Sequence, residues 1–156
     1  MSAADHSCPS GLVTVLLHRD DGRVLLLRRA AGTATGGRLA PPGGGLTSEE
    51  SVLATALRTA DDAVGVLVSP GDMEFCHLAH QHSPDHRGRF GFVFTARRWS
   101  GEPRIQQPTA YSTLVWAQPV PPPAACDAEA AALLAQFTSG ALLSVPGWDD
   151  APGGTG

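Results

Sequence analysis

Residues 44–66 read GGLTSEESVLATALRTADDAVGV, and this stretch decides the fold. Residues 47–64 within it predict an α-helix. Leu53, Ala56, Leu57, Ala60 and Val64 recur at helical spacing and make one apolar stripe. Thr47, with Glu50 three residues on, fits a capping box at the helix start, and Gly65 suits the position that ends a helix. Just upstream, residues 39–45 (LAPPGGG) run through two prolines into a glycine turn, which predicts a loop or a sheet edge. Asp61 and Asp62 stand near the helix C-terminus, where the macrodipole disfavours negative charge. That mismatch is read either as retained function or as ordinary surface tolerance.

Outward from this helix, residues 11–18 are β-branched and leucine-rich and predict a strand. Asp20-Asp21-Gly22 signals a turn before residues 23–29 resume as a strand, so the pair predicts a hairpin. Residues 30–37 are small and Gly-rich, a loop. Downstream, residues 72–80, 89–99 and 111–117 predict strands, the second mostly apolar and therefore central. Residues 119–123 form a proline spacer, and 127–137 predict a second amphipathic helix. The order of two strands, helix, three strands and helix defines an α/β (α+β) layer fold, a mixed β-sheet between helices. One domain is expected over residues 11–148, flanked by a flexible tail at 1–10 and a disordered one at 149–156.

Composition narrows the function classes. All eleven basic residues are arginine, and the net charge of −4 favours no duplex nucleic acid partner. Any phosphate contact must come from a local site. Cys8, Cys76 and Cys126 are odd in number and form no C-x-x-C pair, which argues against a disulfide framework or structural zinc and for a reducing cytoplasm. The N-terminal residues lack a basic segment followed by an apolar one, so no signal peptide is read, and no apolar run reaches the ~18 residues of a membrane helix.

The stretch resembles a Nudix box, G-x5-E-x7-R-E-U-x-E-E-x-G-U with U aliphatic. Gly44, Glu50, Arg58, Gly65 and Val66 fall on that grid, whereas three family glutamate positions hold Thr59, Asp62 and Ala63. The later segments GFVFTARRWSGEPR (91–104) and QPTAYSTLVWAQPVPPP (107–123) are also similar in layout to nucleotide-hydrolysing Nudix proteins. In the second, Gln107-Pro108 stands where the family has Glu-Pro. The resemblance implies a Nudix fold and a hydrolase of a nucleoside diphosphate linked to another group. In the family, Mg²⁺ or Mn²⁺ held by the helix glutamates neutralises the phosphoryl oxygens and activates a water. It implies that Asp62, Glu50 and the Gly44 carbonyl are residual metal contacts, with Arg58 orienting them. One short carboxylate makes a poor cage for an ion that wants octahedral oxygen ligation, so weak or altered activity is expected. The resemblance is also compatible with a homodimer.

The segment CHLAHQH (76–82) is the second constellation. On a regular strand His80 and His82 share a face, with Cys76, and are candidates for zinc binding or general-base work; the plainer reading is strand histidines in solvent. Arg28 and Arg38, with Arg29, Arg97 and Arg98, are candidates for phosphate contact, against a solubilising strand face. Trp116 is a candidate base-stacking surface or a core residue, since it shares a face with Leu114. Two further readings stay open: a metal-independent enzyme using His80 or His82, and a non-catalytic module for a nucleotide or other small ligand.

Overall fold

The computed structural model describes residues 11–83 and 86–148; the tails expected at 1–10 and 149–156 lie outside them. The described chain runs β1 (Gly11–Leu17), β2 (Val24–Arg29), β3 (Leu39–Ala40), β4 (Gly43–Gly45), α1 (Val52–Val64), β5 (Glu74–Ser83), β6 (His86–Ala96), β7 (Tyr111–Ala117), α2 (Ala128–Ser139) and β8 (Leu143–Ser144). The strands form one sheet ordered β4-β1-β6-β5-β8 and a second ordered β3-β2-β7. This is the expected mixed α+β architecture, and β7 has the expected bounds. None of the described helices is long and apolar enough to cross a membrane.

The expected β1–β2 hairpin does not form. The two strands meet only at a bridge between His18 and Val24, then part into different sheets. Their composition explains this. Both are buried on each face rather than alternating: Val13, Val15 and Leu17 join Leu25 and Leu27 in a core roofed by α1. Leu16, Val24 and Leu26 join a second core with Val93, Ala130 and Leu134, roofed by α2. A strand apolar on both sides wants a layer above and below, which one hairpin cannot give.

Helix α1 begins later than expected. Ser51, not Thr47, is its N-cap, and its side chain accepts from the Ala54 N–H at 3.0 Å. Gly65 ends it in the left-handed conformation, φ 74°. Of the expected stripe Ala56, Ala60 and Val64 are fully buried and Leu57 packs against the core, and Thr55, Thr59 and Ala63 widen the inward face. Leu53 is exposed. Small residues let the helix lie close on β1 and on the glycine turn of β4, and proximity outweighs hydrophobicity here. α2 is capped by Asp127, whose Oδ1 accepts from the Ala130 N–H at 2.7 Å.

Candidate functional site

The glycine turn and α1 meet at one contact. β4 lies antiparallel on the edge of β1, pairing Val13 with Gly44. A Cβ on Gly44 would sit 2.6 Å from Thr59 Oγ1, so glycine is what allows the helix this close. Thr59 is 2% exposed and Ala63 5%. The Thr59 hydroxyl is buried and makes no hydrogen bond to another described residue.

Arg58 is tied down on three sides. Its Nε donates to Glu50 Oε2 at 2.9 Å, Nη1 to Asp62 Oδ2 at 3.3 Å, and Nη2 to the Gly45 carbonyl at 3.2 Å. The hydrogen bond from Arg58 holds the Glu50 carboxyl below its usual range, and Glu50 followed by Asp62 raises the guanidinium. Glu50 is therefore a partner of Arg58 eight residues away, and the expected capping box is replaced by this pair. Gln107 Nε2 donates to the Asp62 carbonyl at 3.1 Å, satisfying a helix-end acceptor that a glutamate could not.

These residues do not fit a divalent cation. Two of the three family glutamate positions are a buried threonine and a buried alanine, and the remaining carboxylate, Asp62, is engaged by Arg58. Among the described residues no three His, Cys, Asp or Glu side chains converge in a metal-binding group. Mg²⁺ needs more oxygen ligands than this face offers.

Two hollows adjoin the glycine turn and share Gly43, Gly44 and Tyr111. One, of about 210 Å³, is bounded by Arg58, Thr59, Asp62, Ala63 and Gln107. The other is a cleft of about 890 Å³ between the β1-β6-β5 face and α2, walled by β8. Arg29 borders this cleft, its Nη2 3.5 Å from Asp127 Oδ2. A register slip between Arg28 and Arg29, where Arg28 pairs with Thr113 and Arg29 with Tyr111, accompanies that placement, and nothing in the sequence signals it. Of the arginines considered, Arg28 donates to the Gly37 carbonyl at 2.8 Å and Arg38 is exposed; neither borders either hollow.

The histidine strand divides. A bulge at Cys76 breaks the alternation, so Cys76 does not share a face with His80 and His82. It packs toward the second core, where its thiol donates to the Val93 carbonyl at 3.4 Å, and burial pushes its pKa up to about 11. His77, Ala79 and Gln81 border the cleft, whereas His80 and His82 do not. His80 stacks on Phe90 at 4.5 Å, and both histidines lie against Trp148. His77 is buried; Nδ1 donates to the Ala141 carbonyl at 2.7 Å, and Nε2 shares a hydrogen bond with the Ser144 hydroxyl at 2.8 Å. This pins β8 as the cleft wall. Trp116 packs at the first core, stacked with Trp99 at 6.1 Å and covered by Arg19 at 4.3 Å, away from both hollows.

The sequence model of the NUDIX domain matches residues 11–138, so this chain belongs to the Nudix hydrolase family. Nudix hydrolases as a class use divalent metals and act on small nucleotide-like substrates. Among solved structures it is similar to the MutT Nudix hydrolase from Burkholderia pseudomallei, with a TM-score of 0.72 and 22% identity over 83% of this chain and 98% of that one. The E. coli ORF135 protein follows at 0.68 and 22%, covering 83% and 89%. The MutT protein from Methanosarcina mazei Go1 gives 0.67 and 16%, covering 85% and 96%. At these identities the likeness establishes the fold. The comparison with curated proteins returns no match.

Proposed function

We propose that this chain binds a small compound carrying a diphosphate, of the kind in which a nucleoside diphosphate is linked to another group, and hydrolyses it weakly. One observation carries the reading. A large cleft and the hollow under the box helix share Gly43, Gly44 and Tyr111 as walls, and the helix borders that hollow with Thr59 and Ala63 in place of carboxylates. The cleft supports retained binding. The missing acids support weak turnover, because charge on the phosphoryl oxygens goes largely unneutralised. Among the described lining residues Arg29 is the one arginine at the cleft and is assigned the phosphate contact, displacing Arg28 and Arg38 from that role. Metal-independent chemistry at His80 and His82 is disfavoured, since both stand outside the cleft.

The test pairs calorimetric binding with diphosphate release over a panel of nucleoside diphosphate derivatives, across a divalent-metal titration. Expected are binding without added metal, slow release, and weaker binding in Arg29→Gln. Fast turnover saturating at low metal concentration, or no binding of any diphosphate compound, overturns the proposal. Turnover unchanged by Asp62→Asn removes Asp62 from the reaction.

A further inference from the structure

The cleft has a chemical character that family membership does not dictate. Its floor is small and aliphatic: Leu12 pairs with Gly91 and Gly91 with Ala79, making one row across β1, β6 and β5. A Cβ on Gly91 would meet nothing nearer than Ala79 Cβ at 3.7 Å, so the space above that floor is open. Leu12, Leu143 and Val145 are 38%, 59% and 46% exposed, and all three border this one cleft. Scattered exposed apolar side chains are ordinary, but a convergent set marks a binding surface.

Several polar groups of the cleft are paired within the chain, while Arg29 Nε has no partner among the described residues and stays available at the phosphate end. Arg29 pairs with Asp127, and Arg89 lies 3.9 Å from Glu129 while donating to Gln81 Oε1 at 3.3 Å. Both ring nitrogens of His77 are engaged. Among the described lining residues Tyr111 supplies the only phenyl ring, at the glycine-turn end. A nucleobase is recognised by stacking on an aromatic face and by hydrogen bonds to its edge. Among the described residues the body of this cleft offers no phenyl or indole face for the first of these. Its volume, about 890 Å³, is that of a small-molecule site.

We infer that the group held in the cleft is an uncharged aliphatic chain, with the diphosphate lying at the glycine turn. The inference rests on the diphosphate-binding reading above and places a chain, rather than the nucleoside, in the cleft. It is tested by calorimetric titration of the full chain with butyl, hexyl and octyl diphosphate beside ADP and UDP. Partial to full burial of each methylene tightens binding roughly two- to fourfold. The expected dissociation constants fall by that factor per methylene, and octyl diphosphate binds more tightly than either nucleoside diphosphate. Gly91→Leu fills the floor and flattens the series. If that variant fails to fold, Ala132→Trp on the exposed side of α2 blocks the same space. Nucleoside diphosphates binding more tightly than the octyl compound, or a flat series with the unaltered chain, overturns the aliphatic assignment and leaves the diphosphate reading standing. Failure of every diphosphate to bind overturns both.

Discussion

Replacing Thr59 and Ala63 together by glutamate restores two acid positions of the family pattern, and the structure sets the outcome in two stages. Without metal the change is unfavourable. Both positions are nearly fully buried and Thr59 already crowds Gly44, so longer side chains overpack at roughly 1–3 kcal/mol. At about 2–4 °C per kcal/mol for a chain of this size, the melting midpoint drops by roughly 2–12 °C. With Mn²⁺ the sign reverses. Each carboxylate ~4 Å from a divalent ion gains roughly 8 kcal/mol of gross attraction at an effective dielectric near 20, largely offset by dehydration. Once Mn²⁺ reaches about a hundred times its dissociation constant, the bound form gains about 2.7 kcal/mol, or roughly 5–11 °C. The assay is thermal unfolding of both proteins with and without Mn²⁺. The parent midpoint stays in place and the variant midpoint rises. A parent that responds to Mn²⁺ as strongly as the variant holds its cation by other means, which refutes the loss of the site at positions 59 and 63. A folded variant with no response shows that positions 59 and 63 do not face a site.

Two further outcomes follow from the same geometry. Gly44→Ala places a methyl against the Thr59 hydroxyl and destabilises by roughly 1–3 kcal/mol, most of which disappears in a Thr59→Ala background; an equal penalty in both backgrounds in denaturant titrations removes that contact as the cause. Stability also depends on pH in two windows. His18 is pushed below its usual 6.5, first by burial and then by Arg97, so its contribution is complete above that value and is lost as pH falls through the lower folded value. Glu50 and Asp21 are held below the usual carboxylate range by Arg58 and Arg19, so their contributions persist above the unfolded values and vanish as pH drops through the folded ones, below about 4.5. Urea midpoints that stay level as pH falls below neutrality contradict a lowered His18.

The parts of the fold written in local pattern were legible in the sequence, and the parts set by distant partners were not. β7 matches its expected bounds because alternation and a flanking proline spacer define it locally. The start of α1 was misplaced because Glu50, which looks like a cap in sequence, is drawn to Arg58 on the next turns of the helix. The apolar stripe of α1 was legible through Ala56, Ala60 and Val64, whereas Thr59 and Ala63, which a hydrophobic tally passes over, border the hollow at the glycine turn. Sequence alone does not separate Arg29 from the other candidate arginines or His77 from its neighbouring histidines; a register slip and a bulge set which of them face the cleft. The box frame itself, Gly44, Glu50 and Arg58, was read from spacing, and the structure brings all three into one cluster through Arg58 and the neighbouring Gly45.

β1 zips in parallel along β6, and the Thr95 hydroxyl donates to the Leu16 carbonyl across 79 residues of chain. A nascent polypeptide that has released α1 from the ribosome still lacks the central ribbon of its main sheet. Its leucine-rich first strand is then shielded on one edge by only three glycines. Closing so long a loop is slow, and an open apolar edge in the interval is the surface that invites mispairing and holdase capture. Synthesis of this molecule thus carries a vulnerable interval that ends only when Ala96 has emerged.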